Sequence, residues 1–230
     1  RGLGDVYKRQ DVDGISASSL LYLFLKDCGA DVNTYIPERK SEGYGLNIDA
    51  LNHLAEAGTT LVVTVDCGIS AVKEIAGAPK TLDIVVTDHH TPPEVLPEAY
   101  ALVNPHQKDC SYPFEHLSGV GVAFKLCQAL YKMRFPDEPL WDGNTEFVAL
   151  GTVADIVPLW GENRALVKHG LKKMETTENI GLKALIEKSR CPVKDITSEN
   201  IGFILAPRLN AVGRLEHAQL AVELLTAQDE

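Results

Sequence analysis

Short apolar runs that end abruptly in acids or imidazoles punctuate the first half of the chain. The clearest is TLDIVVTDHH, where Leu82, Ile84, Val85 and Val86 are too few for an ordinary helix and branched enough for a buried strand, followed at once by Asp88, His89 and His90. LVVTVDCG repeats the arrangement and delivers Asp66, while DVDG places Asp11 and Asp13 just ahead of a helical pattern. That pattern, Ile15 through Leu25, is apolar on most sides and stops at Gly29. DVNTYIP reads as a strand ended by Pro37, residues 47–57 as a helix, 70–78 as a short helix and YALVNP as one more short strand. Strands alternating with helices predict an α/β fold with a mostly parallel sheet flanked by helices on both faces.

After Pro113 the period changes. SGVGVAFKLCQALYKM, NTEFVALGTVADIVPL (broken at Pro158), ENRALVKHGLKKM and IGLKALIEKS all read as helices. IGFILAPRLNAVGR then passes from an apolar segment into a loop of Asn, Gly and Arg, and LEHAQLAVELLTAQ closes as a helix. The division expected is a parallel α/β core over 11–112, a helical continuation over 113–214, and over 215–230 the start of a helix linking to a further domain. Residues 1–10 stand apart. A strand feeding DVDG should be rich in Val and Ile, yet RGLGDVYKRQ is polar and basic and resembles a translated sequencing adapter. It is expected to be a non-native leader, leaving four strands where the complete fold would have five.

Composition narrows the classes. With 230 residues at 45% hydrophobic content the chain can bury a sizeable core, and it has no apolar run able to cross a bilayer and no cleavable signal, which predicts a cytoplasmic protein. Five scattered cysteines without C-x-x-C spacing read as thiols rather than disulfides or a zinc site. A net charge of −10 argues against a broad basic groove for duplex DNA. It is compatible with carboxylates gathered around cations, because bound ions reverse the local field.

The candidate chemistry is therefore the set Asp11, Asp13, Asp66, Asp88, His89, His90 and Asp155. Singly each has a plainer reading: Asp66 as a helix cap, Asp11 and Asp13 as a turn, the two histidines as a surface loop, Asp155 as a solvated helical residue. Jointly they converge on the carboxyl edge of one sheet, where open α/β folds bind ligands. Carboxylates gathered and buried there need cations, and mixed oxygen and imidazole donors suit Mn2+ or Mg2+ better than zinc. A pair of such ions supports phosphoester hydrolysis. Two further segments invite an anion: Arg208, Asn210 and Arg214 in PRLNAVGR, and the helix start at Ser118 and Gly119. The remaining histidines, including His106 and His116, read as structural or surface residues.

Taken in order, DVDGISASSLLY, EGYGL, TVDCGIS, TDHH, ALVNP with SYPF, SGVGVAFKL, GTVADIVPL and PRLNAVGR resemble the DHH family of phosphoesterases, and within it the exonucleases that digest single-stranded DNA. The resemblance covers nearly everything from Asp11 onward. It implies that Asp11, Asp13, Asp66, His89 and Asp155 ligate two Mn2+ or Mg2+ ions, with Asp66 bridging. It also implies that His90 faces the scissile phosphate with Asp88 supporting from behind, and that Arg208, Arg214 and Arg39 bind phosphate. The implied substrate is single-stranded DNA, digested from the 5′ end in repair and recombination. Relatives hydrolysing oligoribonucleotides or cyclic dinucleotides, and non-catalytic replication scaffolds, are the alternatives. Two departures stand out. Arg9 occupies the position where the family's first motif begins with Asp or His, and the resemblance leads one to expect, after the linking helix, a small further domain closing over the strand, which this sequence does not reach.

Overall fold

The computed structural model describes residues 3–8, 11–37, 45–214 and 218–229. Five strands, β1 (Leu3–Lys8), β2 (Asp31–Tyr35), β3 (Thr59–Val65), β4 (Asp83–Thr87) and β5 (Ala101–Val103), form one sheet in the order β2-β1-β3-β4-β5, every pairing parallel. The expectation of four strands is thereby corrected: Leu3–Lys8 is a central strand, in register with β2 on one side and β3 on the other. A strand flanked on both sides is held by two backbone ladders, so it tolerates polar side chains that find partners. Val6 is fully buried, and the buried Asp5 carboxylate accepts a hydrogen bond from the Thr59 hydroxyl.

The strands are joined by helices α1 (Val12–Asp27), α2 (Ile48–Glu56) and α3 (Val72–Ala76). Along β3 the side chains alternate between two cores. Val62 packs with Leu51, Leu54, Ile75 and Val86 on one face, while Val63 and Val65 pack with Ile15, Leu20, Val120 and Phe124 on the other. The second face is closed by α1 together with α4 (Gly119–Arg134) and α5 (Thr145–Ala154). Because α1 is covered nearly all round, it shows no polar stripe, as its sequence implied.

The helical continuation runs on through α6 (Gly161–Met174), α7 (Ile180–Lys188), α8 (Ser198–Asn200), a π-helical turn (Ile201–Leu205), α9 (Ala206–Arg214) and α10 (Ala218–Thr226). Two expectations change here. PRLNAVGR is a helix, not a loop. Pro207 lies in its first turn, where a missing N–H is tolerated, and the wide π turn before it relieves the ring's clash with the preceding turn. The helix of GTVADIVPL also ends earlier than Pro158: Asp155 is its C-cap and Ile156 turns to a positive φ of 60°. All five cysteines are free thiols, and no described helix is long and apolar enough to cross a membrane.

Candidate metal centre

In this strand order the chain reverses direction between β1 and β3, and the crevice at their carboxyl ends is where doubly wound sheets bind ligands. Asp11 and Asp13 follow β1, Asp66 follows β3, and Asp88, His89 and His90 follow β4.

Asp11 caps α1, its Oδ1 accepting the Gly14 N–H at 3.0 Å. Asp13, in the first turn, is 1% exposed. Both of its oxygens are held from the start of α4, Oδ2 by the Gly119 N–H at 2.6 Å and Oδ1 by the Val120 N–H at 2.9 Å. Ser118 is the cap of that helix, accepting from the Gly121 N–H at 3.2 Å and sharing a 2.8 Å bond with the Thr152 hydroxyl. The helix start does cradle an anion, as its backbone donors predict, but the anion is the protein's own Asp13. Ser118 and Gly119 thus position a carboxylate and are not placed to receive substrate.

Asp66 sits just past β3 with φ 57°, in the left-handed region that an aspartate tolerates better than most residues, and it is 1% exposed. Burial, the Asp11 carboxylate beside it and the further charges of Asp155 and Asp88 push its carboxyl well above the usual range. Asp13 is raised by burial and by Asp66, with His89 opposing. Gly119 and Gly151 fence the pair. A Cβ on Gly119 would lie 2.6 Å from the Asp66 Cβ, and one on Gly151 would lie 2.6 Å from the Asp13 Oδ1.

His89 lies between these acids. Its Nε2 is 3.1 Å from Asp66 Oδ1, 3.6 Å from Asp155 Oδ2 and 3.9 Å from Asp13 Oδ2. Even so, His89 Nε2 and Asp66 Oδ1 are both buried and neither makes a hydrogen bond. A ring nitrogen can donate to or accept from one partner, not three acids, so donors converging in this way suit a shared cation. Among the described residues two such groups exist, Asp66–His89–His90 and Asp13–His89–Asp155, the ligand atoms in each lying within 4.8 Å of one another. These residues fit a pair of hard divalent ions. His89 is common to the two groups.

Asp88 stands behind the cluster. Its Oδ1 accepts from the His89 and His90 N–H groups and lies 2.6 Å from His90 Nδ1, while its Oδ2 accepts from the Ile69 N–H at 3.0 Å. Burial works against its charge, yet the bonds from His90 and Ile69 hold its carboxyl below the usual range. The Nδ1 proton of His90 is thereby directed at Asp88, which leaves Nε2 as the nitrogen presented outward. Asn104 was missed by the sequence reading. It is 2% exposed, donates from Nδ2 to the His90 carbonyl at 2.9 Å and accepts the His106 N–H at 2.8 Å. Its only signal was the VNP turn after β5. Replacing Asp88 by Asn keeps one acceptor of two, so an NH2 group must face either the Ile69 N–H or the donors of His89 and His90. A loss of activity of roughly 10- to 100-fold is expected, read as kcat/KM against wild type with folding checked by circular dichroism.

A cavity of about 380 Å³, lined by Gly45, Leu46, Asp66, Gly68, Asp88 and His90 among others, opens beside the cluster. The anion sites proposed from the carboxyl-terminal motif are not brought to it by any described contact. Arg208 is exposed, donates to the Ile204 carbonyl at 2.6 Å and lies near the Cys191 thiol. Asn210 is half-buried on the same helix. Arg208 and Arg214 stand six residues apart on α9. The side chain of Arg214, and all of Arg9 and Arg39, lie outside the described residues.

An all-parallel, doubly wound sheet with a cluster of carboxylates and imidazoles at its switch point defines an α/β protein with a candidate metal centre. The chain belongs to the DHH family: the sequence model of that family's N-terminal domain matches residues 6–152. It is similar to the single-stranded-DNA-specific exonuclease RecJ of Bacillus subtilis, 45% identical over 97% of this chain and 28% of that protein, and to RecJ of Haemophilus influenzae, 40% identical over 95% and 40%. The chain thus spans well under half the length of these relatives. Among solved structures it resembles exonuclease RecJ bound to manganese, with TM-score 0.88, 35% identity and coverage of 99% of this chain and 57% of that one. RecJ of Thermus thermophilus in complex with Mn2+ matches with TM-score 0.84 and 33% identity, over 99% and 32%.

Proposed function

We propose that this chain carries the metal-dependent centre of a nuclease that hydrolyses phosphodiesters of single-stranded DNA from the 5′ end. The observation that carries the reading is the buried pair Asp66 Oδ1 and His89 Nε2, beside Asp13 and Asp155 from two other segments and without hydrogen bonds of their own. Asp11, Asp13, Asp66, His89 and Asp155 would hold two ions, Mn2+ or Mg2+ as in the similar RecJ structures. Bound there, such ions supply positive charge to the phosphate and acidity to an attacking water. The chain's own part is to hold those donors rigidly: Asp13 by two backbone N–H groups, Asp66 between β3 and the Gly119 backbone, Asp88 by three. His90, whose side chain is 38% exposed, faces outward to neutralise charge on the scissile phosphate or to assist the leaving oxygen. The preference for single strands is that of the relatives named for it, and the 5′ polarity is what the family resemblance of the motifs implies. In a cell the same reading puts the protein in the cytoplasm, in DNA repair and recombination.

The test compares substrates in Mn2+. Long single-stranded DNA should be degraded to mononucleotides, and duplex DNA and dinucleotides should be turned over at least about tenfold less efficiently. Faster turnover of dinucleotides or cyclic dinucleotides would move the protein to the oligonucleotide-hydrolysing relatives, and absence of Mn2+ binding by calorimetry would leave a scaffold.

A further inference from the structure

Beyond the carboxylates and imidazoles, a row of rings leads away from the centre. His106 is tied to the centre through Asn104, which accepts the His106 N–H at 2.8 Å and donates to the His90 carbonyl at 2.9 Å. Its ring lies 6.4 Å from that of His116, centroid to centroid, and His116 lies 5.3 Å from Trp160. Trp160 also meets the buried Phe114 edge to face at 5.3 Å, which fixes the indole in place. The same indole is tied to the centre through the chain. Trp160 follows Asp155 by five residues, a reach of at most about 17 Å. Between them, Ile156 is 88% exposed and holds a positive φ, a backbone state that costs a β-branched residue about 1–3 kcal/mol. Leu159 is 40% and Trp160 55% exposed. Packing on Phe114 and His116 holds one side of the indole and leaves the rest to solvent, while the strained Ile156, next to Asp155, is almost wholly exposed.

We infer that Ile156, Trp160 and His116 form a ledge on which a base of the single strand stacks, positioning the backbone at the metal centre. The inference rests on the nuclease reading above and names the part of the substrate it had left unassigned. Charge favours this occupant. With a net charge of −10 the chain offers no broad basic surface to the phosphates, whereas aromatic rings recognise base faces without regard to sequence. Trp160 is a positioning residue in this role, since it touches the base and not the reacting atoms.

The experiment measures kcat/KM in Mn2+ on two strands of equal length, one intact and one abasic over its 5′-terminal nucleotides. Stacking of one base corresponds to roughly 5- to 150-fold, so wild type should prefer the intact strand by about tenfold. Trp160→Ala should bring that ratio close to one through KM, and Trp160→Phe, which keeps a ring, should restore most of it. An unchanged ratio in Trp160→Ala, or a wild type indifferent to missing bases, overturns the ledge while the nuclease reading stands. A wild type that cleaves neither strand overturns the nuclease reading and the ledge with it.

Discussion

Asp66→Asn is expected to abolish Mn2+-dependent hydrolysis, by at least about a thousandfold, while making the metal-free chain more stable than wild type. The two effects have one cause. Asp66 is 1% exposed, its carboxyl is raised well above the usual range by burial and by Asp11, Asp155 and Asp88, and its Oδ1 has no hydrogen bond. Without a cation the folded protein must keep like charges together, and this costs stability that an amide does not cost. Asparagine is the informative replacement because the backbone there is left-handed, at φ 57°, a conformation that Asn adopts readily and Ala does not. In a chain of this size each kcal/mol of relieved repulsion raises Tm by about 2–4 °C. Manganese should reverse the order. At a hundredfold excess over its Kd it adds about 2.7 kcal/mol to wild type, and it should add far less to a variant lacking one charged ligand. Thermal melts with EDTA and with Mn2+ read both signs, and the loss of several kcal/mol of transition-state charge stabilisation sets the scale of the kinetic defect. A variant that melts below wild type in EDTA would mean that the carboxylate is satisfied within the protein, and the metal reading would fall.

The strand-end acids were legible because two signals coincide in one short window: a branched apolar run too short for a helix, then a charge where a core residue would otherwise continue. Asp66 and the Asp88–His90 triplet follow that rule, and β3 and β4 lie where it puts them. β1 broke it. Its hydrophobic content is low because ladders on both sides hold it and because Thr59, distant in sequence, satisfies Asp5. No local pattern reports a partner that far away. The same limit explains Ser118 and Gly119: the donors at the start of α4 were visible, but their acceptor, Asp13, sits more than a hundred residues upstream. α9 failed for the opposite reason. Asn210 and Gly213 carry loop propensity, and the packing of Leu205, Ala206 and Leu209 into the core overrides it. Asp155 comes to 3.6 Å from His89, and what brings it there is the end of α5, not a helical face.

Gly119→Ala should cripple the centre without touching a ligand. The added methyl would lie 2.6 Å from the Asp66 Cβ and 2.7 Å from its Oδ1, inside any tolerated contact, and Asp66 is buried on a strained backbone with no room to yield. Either Asp66 moves or α4 does, and α4 carries the two N–H groups that hold Asp13. Both movements pull apart donors that must meet at one point. Overpacking of this kind costs about 1–3 kcal/mol of stability, and a displacement near 1 Å at the reacting centre costs about a hundredfold in rate. Gly121→Ala, two residues along the same helix, is the control. Its methyl would meet Leu117 Cδ2 at 3.3 Å and Leu117 Cβ and Ser118 Oγ at 3.4 Å, tight but clear of the overlap at Gly119, so the stability loss should be smaller than for Gly119→Ala. If the two variants behave alike in melting and in Mn2+ titration, the cost lies in the helix rather than in the approach of its backbone to Asp66. If only Gly119→Ala loses both metal and rate, the backbone of α4 is what sets the spacing of the carboxylates.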